Sequence, residues 1–234
     1  MEIKTVEEII GIFRKFASPY LVTFYEVIFR PNDFIVNRDL NSSSGFFAAS
    51  QFGVFVSVLN LLLVYPSLRI AGVVVENPYF LLVDTIMTYV FFFLYGMFFH
   101  AFAKLLFGKG NLQSSVTAFL YCTAFFPLFA FFSLPMDFAI RQYLIKHNGS
   151  YESLLTTEVR NLFVDNPAIV IATVLSVVVL MFYFKNLCLI YSKIHNFGMF
   201  RACLSVLGGV ISWLAISSLF SLPIASMMHK SFLG

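Results

Sequence analysis

Tyr89–Val90–Phe91–Phe92–Phe93–Leu94–Tyr95 carries no charge, and no polar residue alternates with its apolar ones. A lipid-facing barrel strand alternates apolar and polar residues over about 10 positions, so this stretch reads as helix. It sits inside a longer apolar run, about residues 79–107. Four similar runs cover about residues 46–66, 115–136, 167–191 and 202–226. About 20 apolar residues of helix cross a bilayer core, and each run reaches that length. The composition is 59% hydrophobic and 12% charged, with 31 Phe among 234 residues. One soluble core of this size could not cover so much apolar surface. The fold class expected is therefore an all-α membrane protein, a five-span transmembrane helix bundle.

Charge gives the orientation. With the N-terminus cytoplasmic, that side carries Lys4, Arg14, Lys15, Arg30, Arg38, Lys104, Lys109, Lys185, Lys193 and Arg201. The opposite side carries Arg69, Arg141, Lys146, Arg160 and Lys230. Ten against five places the N-terminus inside by the positive-inside rule. A net charge of +3 is too small to point to nucleic acid. Glu2, Glu7, Glu8, Arg14 and Lys15 interrupt the first stretch, so no cleavable signal peptide is expected. The first span then serves as its own insertion signal. Cys122, Cys188 and Cys203 lie in or beside spans with no Cys-x-x-Cys spacing, which reads as packing.

Two units follow. Residues 1–45 form an N-terminal cytoplasmic or interfacial segment, and residues 46–234 form the membrane domain with an outer loop at 137–166. Ile9, Ile10, Phe13, Phe16 and Ala17 recur at helical spacing. Ser18–Pro19 opens a second short helix to about Phe29, with Leu21, Phe24, Val27 and Ile28 on its apolar face. Both are expected to be amphipathic helices lying in the interface. Pro31 is expected to break the helix, and Asn41–Gly45 reads as a linker. The first span should end at Tyr65–Pro66, and Pro78 should start the second. The third should kink at Pro127 and end at Pro135. In the outer loop, apolar spacing predicts two half-helices around Asn148–Gly149. Small residues Ala202, Ser205, Gly209, Ser212 and Ala215 mark the face of the fifth run expected to pack most closely.

Few residues carry chemistry. Asp84 is an ionisable group one turn into the second span, a cation or proton contact if it does more than reach the headgroups. His100 and Lys104 share a helix face, and Lys109, His195 and Arg201 fall at the same membrane depth. These five are the candidate contacts for anionic headgroups or an acidic partner, set against ordinary positive-inside anchoring. The turn at Gly108–Lys109–Gly110–Asn111 is expected to use its glycines for positive φ. Ser114 and Ser115 read as helix caps. Two histidines without a carboxylate are too few for a metal site. No enzyme signature of the metalloprotease, serine hydrolase, phosphate-loop or dinucleotide type occurs. No enzyme activity, cofactor or metal is expected.

The run from His100 through Gly108–Lys109–Gly110–Asn111 to Ser114, with Tyr121 and Pro127 after it, resembles the Yip (Ypt-interacting protein) domain, closest to its prokaryotic branch. Ile194–His195–Asn196–Phe197–Gly198 before Arg201–Ala202 is similar to the family's last inner turn. Phe29–Arg30–Pro31–Asn32–Asp33–Phe34 is similar to the segment before its first span. The likeness covers roughly residues 24–226. Phe107 stands where the family has a further glycine, and the acidic Tyr-Gly-Pro signature of the eukaryotic branch is absent, so Rab-type GTPase binding is not carried over.

The resemblance implies a non-enzymatic, multi-pass scaffold, adaptor or membrane organiser working through its cytoplasmic face. In it Gly108, Gly110, Tyr121 and Pro127 are structural. Its partners are the lipid bilayer, anionic headgroups and a membrane or cytoplasmic protein, with a homo-oligomer compatible. The bacterial inner membrane is the expected location, with endoplasmic reticulum and Golgi membranes as the alternative. The alternative function is a transporter or channel for a lipid or small solute, lined by Asp84, Gln51, Asn60 and the Pro127 kink.

Overall fold

A computed structural model describes residues 17–70, 78–146, 166–212 and 214–215. Among these the regular structure is helical throughout. Helix α1 covers residues 17–29, α2 Pro31–Asn37, α3 Ser43–Ile70 and α4 Pro78–Leu105. Then come α5 Leu112–Cys122, α6 Phe125–Lys146, α7 Pro167–His195 and α8 Met199–Ser212. The first expected helix, around residues 9–16, and the Asn148–Gly149 region lie outside the described residues.

Four stretches are long and apolar enough to cross a membrane: Ser43–Pro66, Thr85–Leu105, Leu112–Ala139 and Pro167–His195. The chain thus fits an integral membrane protein. The fifth expected run begins as α8, 14 residues long among those described, and residues 216–226 of that run lie outside them. The Leu112–Ala139 stretch is 72% buried, whereas the other three are 17–28% buried. It is therefore the central column, and α3, α4 and α7 pack around it.

Prolines set several helix boundaries, not always as the sequence predicts. The break before Pro31 is confined to Arg30, because Pro31 takes the first position of α2, where a missing N–H is harmless. Asp33 sits in that helix's first turn, favourable against the positive dipole end. The expected linker is partly helix: the Ser42 hydroxyl accepts the Gly45 amide at 3.0 Å, capping α3. The first apolar span ends at Pro66 as expected, while α3 itself runs on to Ile70 with Pro66 inside it. In the third run the break falls at Thr123–Ala124, upstream of Pro127. The Pro127 ring collides with the carbonyl four residues back, so residues 124 and 126 make tighter three-residue bonds to Tyr121 and Thr123. The Thr123 hydroxyl covers the Leu120 carbonyl. Helix α6 then continues through Pro135.

Aromatic rings fill the interior, the structural use of so many phenylalanines. Phe99 stacks on Phe119 at 5.2 Å and Phe92 on Phe126 at 5.0 Å. Tyr121 meets Phe34 at 5.1 Å and Phe52 at 5.5 Å. Backbones approach closely at Gly96, where a Cβ would lie 2.9 Å from Val116 Cα. On α8, Ala202, Ser205 and Gly209 are buried; added Cβ atoms at Gly208 and Gly209 would strike Phe102 and Phe99. On α1, Val27 is buried and Phe24 packs on Phe52, while Leu21 stays 59% exposed.

One buried amide ties α1 to the bundle. Asn186 of α7 donates from Nδ2 to the carbonyls of Val27 at 3.0 Å and Ile28 at 2.8 Å. These belong to the last turn of α1, whose carbonyls have no helical partner. Replacing Asn186 with Leu should lower bundle stability by about 1–3 kcal/mol. Hydrogen exchange across residues 17–29 should speed up while α5 stays protected. Unchanged exchange there would show that aromatic packing alone holds α1.

Candidate functional site

The turns at residues 39–42, 106–111 and 196–198 meet at one end of the bundle. Asn111 Nδ2 reaches Asn41 Oδ1 at 3.4 Å, and the Lys109 amide donates to the His195 carbonyl at 2.9 Å. Helices α4 and α7 finish there in the same way. The Gly108 and Phe107 amides return to Ala103 and Lys104, and the Phe197 and Asn196 amides to Ser192 and Lys193. Both are Schellman ends, which need a left-handed residue. Those residues are Phe107, at φ 64°, and Asn196, at φ 50°.

This corrects the expected role of the glycines. Positive φ falls on Phe107, while Gly108 and Gly110 are needed for space. A Cβ on Gly108 would lie 2.6 Å from His195 Nδ1, and one on Gly110 would lie 2.8 Å from Ile194 Cγ2 and 3.0 Å from that same nitrogen.

Against those glycines sits a polar node linking three helices. Asn111 caps α5, its side chain accepting the Ser114 amide at 2.7 Å. Ser114 and Ser115, expected as caps, instead lie inside α5, and both hydroxyls donate back to the Asn111 carbonyl, at 3.0 and 2.9 Å. Ser115 Oγ is also 2.9 Å from His100 Nδ1 and 2.9 Å from His195 Nε2. A hydroxyl has one proton and two lone pairs. With the proton on the Asn111 carbonyl, both imidazoles donate to Ser115. That assignment leaves a lone pair on His195 Nδ1 in the neutral ring, and this atom is buried without a partner. The Tyr191 hydroxyl donates to the Ser115 carbonyl at 3.0 Å. Tyr191 and Phe197 each stack on His195, at 5.6 and 5.5 Å.

The five candidate contacts therefore divide. His100 and His195 come together, ring centres 5.6 Å apart, and His195 is fully buried. Lys104, Lys109 and Arg201 are exposed. Among the described residues no group of three or more His, Cys, Asp or Glu comes together. Tyr121 is buried beneath the Arg38 guanidinium, 5.8 Å from its ring centre. Pro127 is buried in the first turn of α6. Asp84 falls on α4, and its side chain lies outside what is described.

Tyr191, Asn186 and Arg38 carry the geometry without having been named as site residues, and Ser115 was read only as a cap. A signal existed for two of them: Asn186 is a polar residue deep in an apolar run, and Tyr191 and His195 are one turn apart on one face. Comparison with known proteins gives no match to a protein-family model, a curated protein or a solved structure.

Removing the hydroxyl tests the node. Ser115→Ala leaves the N–H groups of buried His195 and half-buried His100 without their acceptor, and should cost about 1–3 kcal/mol in unfolding from mixed micelles. A double-mutant cycle with His195→Phe should give a coupling above about 0.5 kcal/mol. Strict additivity would mean that the two groups do not share a bond.

Proposed function

We propose that this chain is a multi-pass membrane protein of Yip-like type acting by association, as a scaffold, adaptor or membrane organiser. Its working surface is the end formed by the 106–111 and 196–201 turns, facing the cytoplasm. The observation that carries the reading is Phe107. It is 83% exposed and holds a left-handed backbone, where a side chain costs about 1–2 kcal/mol. Strain of this kind persists where it serves a function.

Exposed cations Lys104 and Lys109 lie on either side of it in sequence, and Phe200, 76% exposed, precedes Arg201 on the neighbouring helix. Large apolar groups between cations suit an anionic membrane face or an amphipathic acidic partner segment. The bacterial inner membrane is the proposed location.

A second reading, transport of a lipid or small solute, draws on helix α3. Ser50 Oγ and Asn60 Oδ1 are buried there without hydrogen-bond partners. Groups of this kind hold water or a polar solute when a path opens. Flux in proteoliposomes that falls on Asn60→Leu would favour this reading.

Phe107→Gly separates a docking turn from a plain helix end. It should stabilise the bundle by about 1 kcal/mol while reducing the recovery of crosslinked partners from native membranes. A triple Lys104→Ala, Lys109→Ala, Arg201→Ala variant should lose the same partners at unchanged stability. Full recovery with both variants would reduce this surface to a topology signal.

A further inference from the structure

Between α1 and α3 the bundle has an open cavity of about 530 Å³. Its walls are mostly apolar, with Tyr20 and Phe52 among them, and its polar groups include Thr23, Gln51 and Arg38. Pockets for small ligands have this character: apolar walls and a few placed polar groups in about 300–1,000 Å³. Arg38 also lines a second cavity, of about 230 Å³, together with Lys193. Arg38 thus borders both spaces.

It is held in place there. Nη2 donates to Thr23 Oγ1 and to Glu26 Oε2, each at 3.1 Å, and the group lies over the Tyr121 ring. Nε and Nη1 carry three of the five N–H groups of an arginine, and the Tyr121 hydroxyl also draws on this guanidinium. The nearby carboxylates are engaged: Glu26 with Arg38 itself, and Asp39 with the Asn41 amide at 3.1 Å. The remaining N–H groups of Arg38 and the ammonium of Lys193 are the cationic donors at this end, beside the paired Glu26 and the charged Asp39.

The depth completes the argument. Helix α3 enters its apolar span at Ser43. Ala48, Gln51 and Phe52 on the cavity wall lie about 8–14 Å further along, at 1.5 Å per residue. The space therefore runs from the headgroup level into the acyl region. We propose that it binds one anionic phospholipid from the adjoining leaflet. Its phosphate sits on the remaining N–H groups of Arg38 near Lys193, and an acyl chain lies along Tyr20 and Phe52. This site rests on the membrane setting and is separate from the docking surface at Phe107.

The test is native mass spectrometry of the delipidated full-length protein in detergent, titrated with phosphatidylglycerol or phosphatidylcholine. One phosphatidylglycerol should bind in preference to phosphatidylcholine. Arg38→Ala should weaken it about tenfold or more, as loss of a charge-assisted hydrogen bond requires. Gln51→Trp should weaken it too, by filling the mouth from an exposed position while leaving the Arg38–Glu26 pair intact. Lys104→Ala/Lys109→Ala should retain the lipid, which separates this site from the docking surface. Equal binding of the two lipids, or unchanged binding in Gln51→Trp, would overturn the proposal. Displacement by millimolar inorganic phosphate would overturn it as well, by showing a site for the free anion.

Discussion

The Ser115 hydroxyl joins α4, α5 and α7 through two imidazoles and one backbone carbonyl. Polar groups at membrane depth have no water to fall back on, so a partner inside the protein is worth more there. A hydroxyl suits three neighbours because it can donate once and accept twice. The consequences spread outward from it. His195 must stay close to α5, which brings its ring against the 108–110 turn and leaves room there only for glycine. Its carbonyl then accepts the Lys109 amide. The two helix ends are in this way fixed to each other as well as to the central column.

The central column must itself be broken for this to work. A straight helix from Leu112 would be continuous at Thr123, where Pro127 forbids the regular bond. The chain re-forms as α6 after two residues, and Tyr121, just before the break, becomes a meeting point. Phe34 from α2, Phe52 from α3 and the guanidinium of Arg38 all gather on its ring. Asn186 completes the attachment from α7 by covering the carbonyls at the end of α1. Helices α1 and α2 are thereby built into the bundle, and the space left between α1 and α3 is lined by groups that also hold the helices together.

Helix positions were legible in the sequence because hydropathy is a local property that accumulates along a run. The runs at 46–66, 79–107 and 167–191 each lie within or nearly within an observed helix. The polar node was not legible, since Ser115 meets partners 15 and 80 residues away and no periodicity encodes such a pairing. The five basic candidates looked alike because membrane depth was the only coordinate available. Rotation about the helix axis separates them: His195 points to α5, whereas Lys104 and Arg201 point outward. Pro31 was read as a break and Pro127 as a kink, yet the effect depends on place: Pro31 opens α2, and the break tied to Pro127 falls four residues upstream.

The 106–111 turn shows how one short loop divides incompatible demands. Its left-handed position could be filled most cheaply by glycine, and glycines are present one and three residues later. They are used facing inward, where any Cβ would meet His195. The outward, strained position carries phenylalanine, one of the largest apolar side chains, at 83% exposure. Packing within the chain cannot account for that choice, because the ring is mostly exposed. Glycine at 107 would relax the backbone and change nothing inside. Under the proposed association, contacts with a partner surface offset that strain. The exposed lysines at 104 and 109 would then favour a surface both apolar and negatively charged.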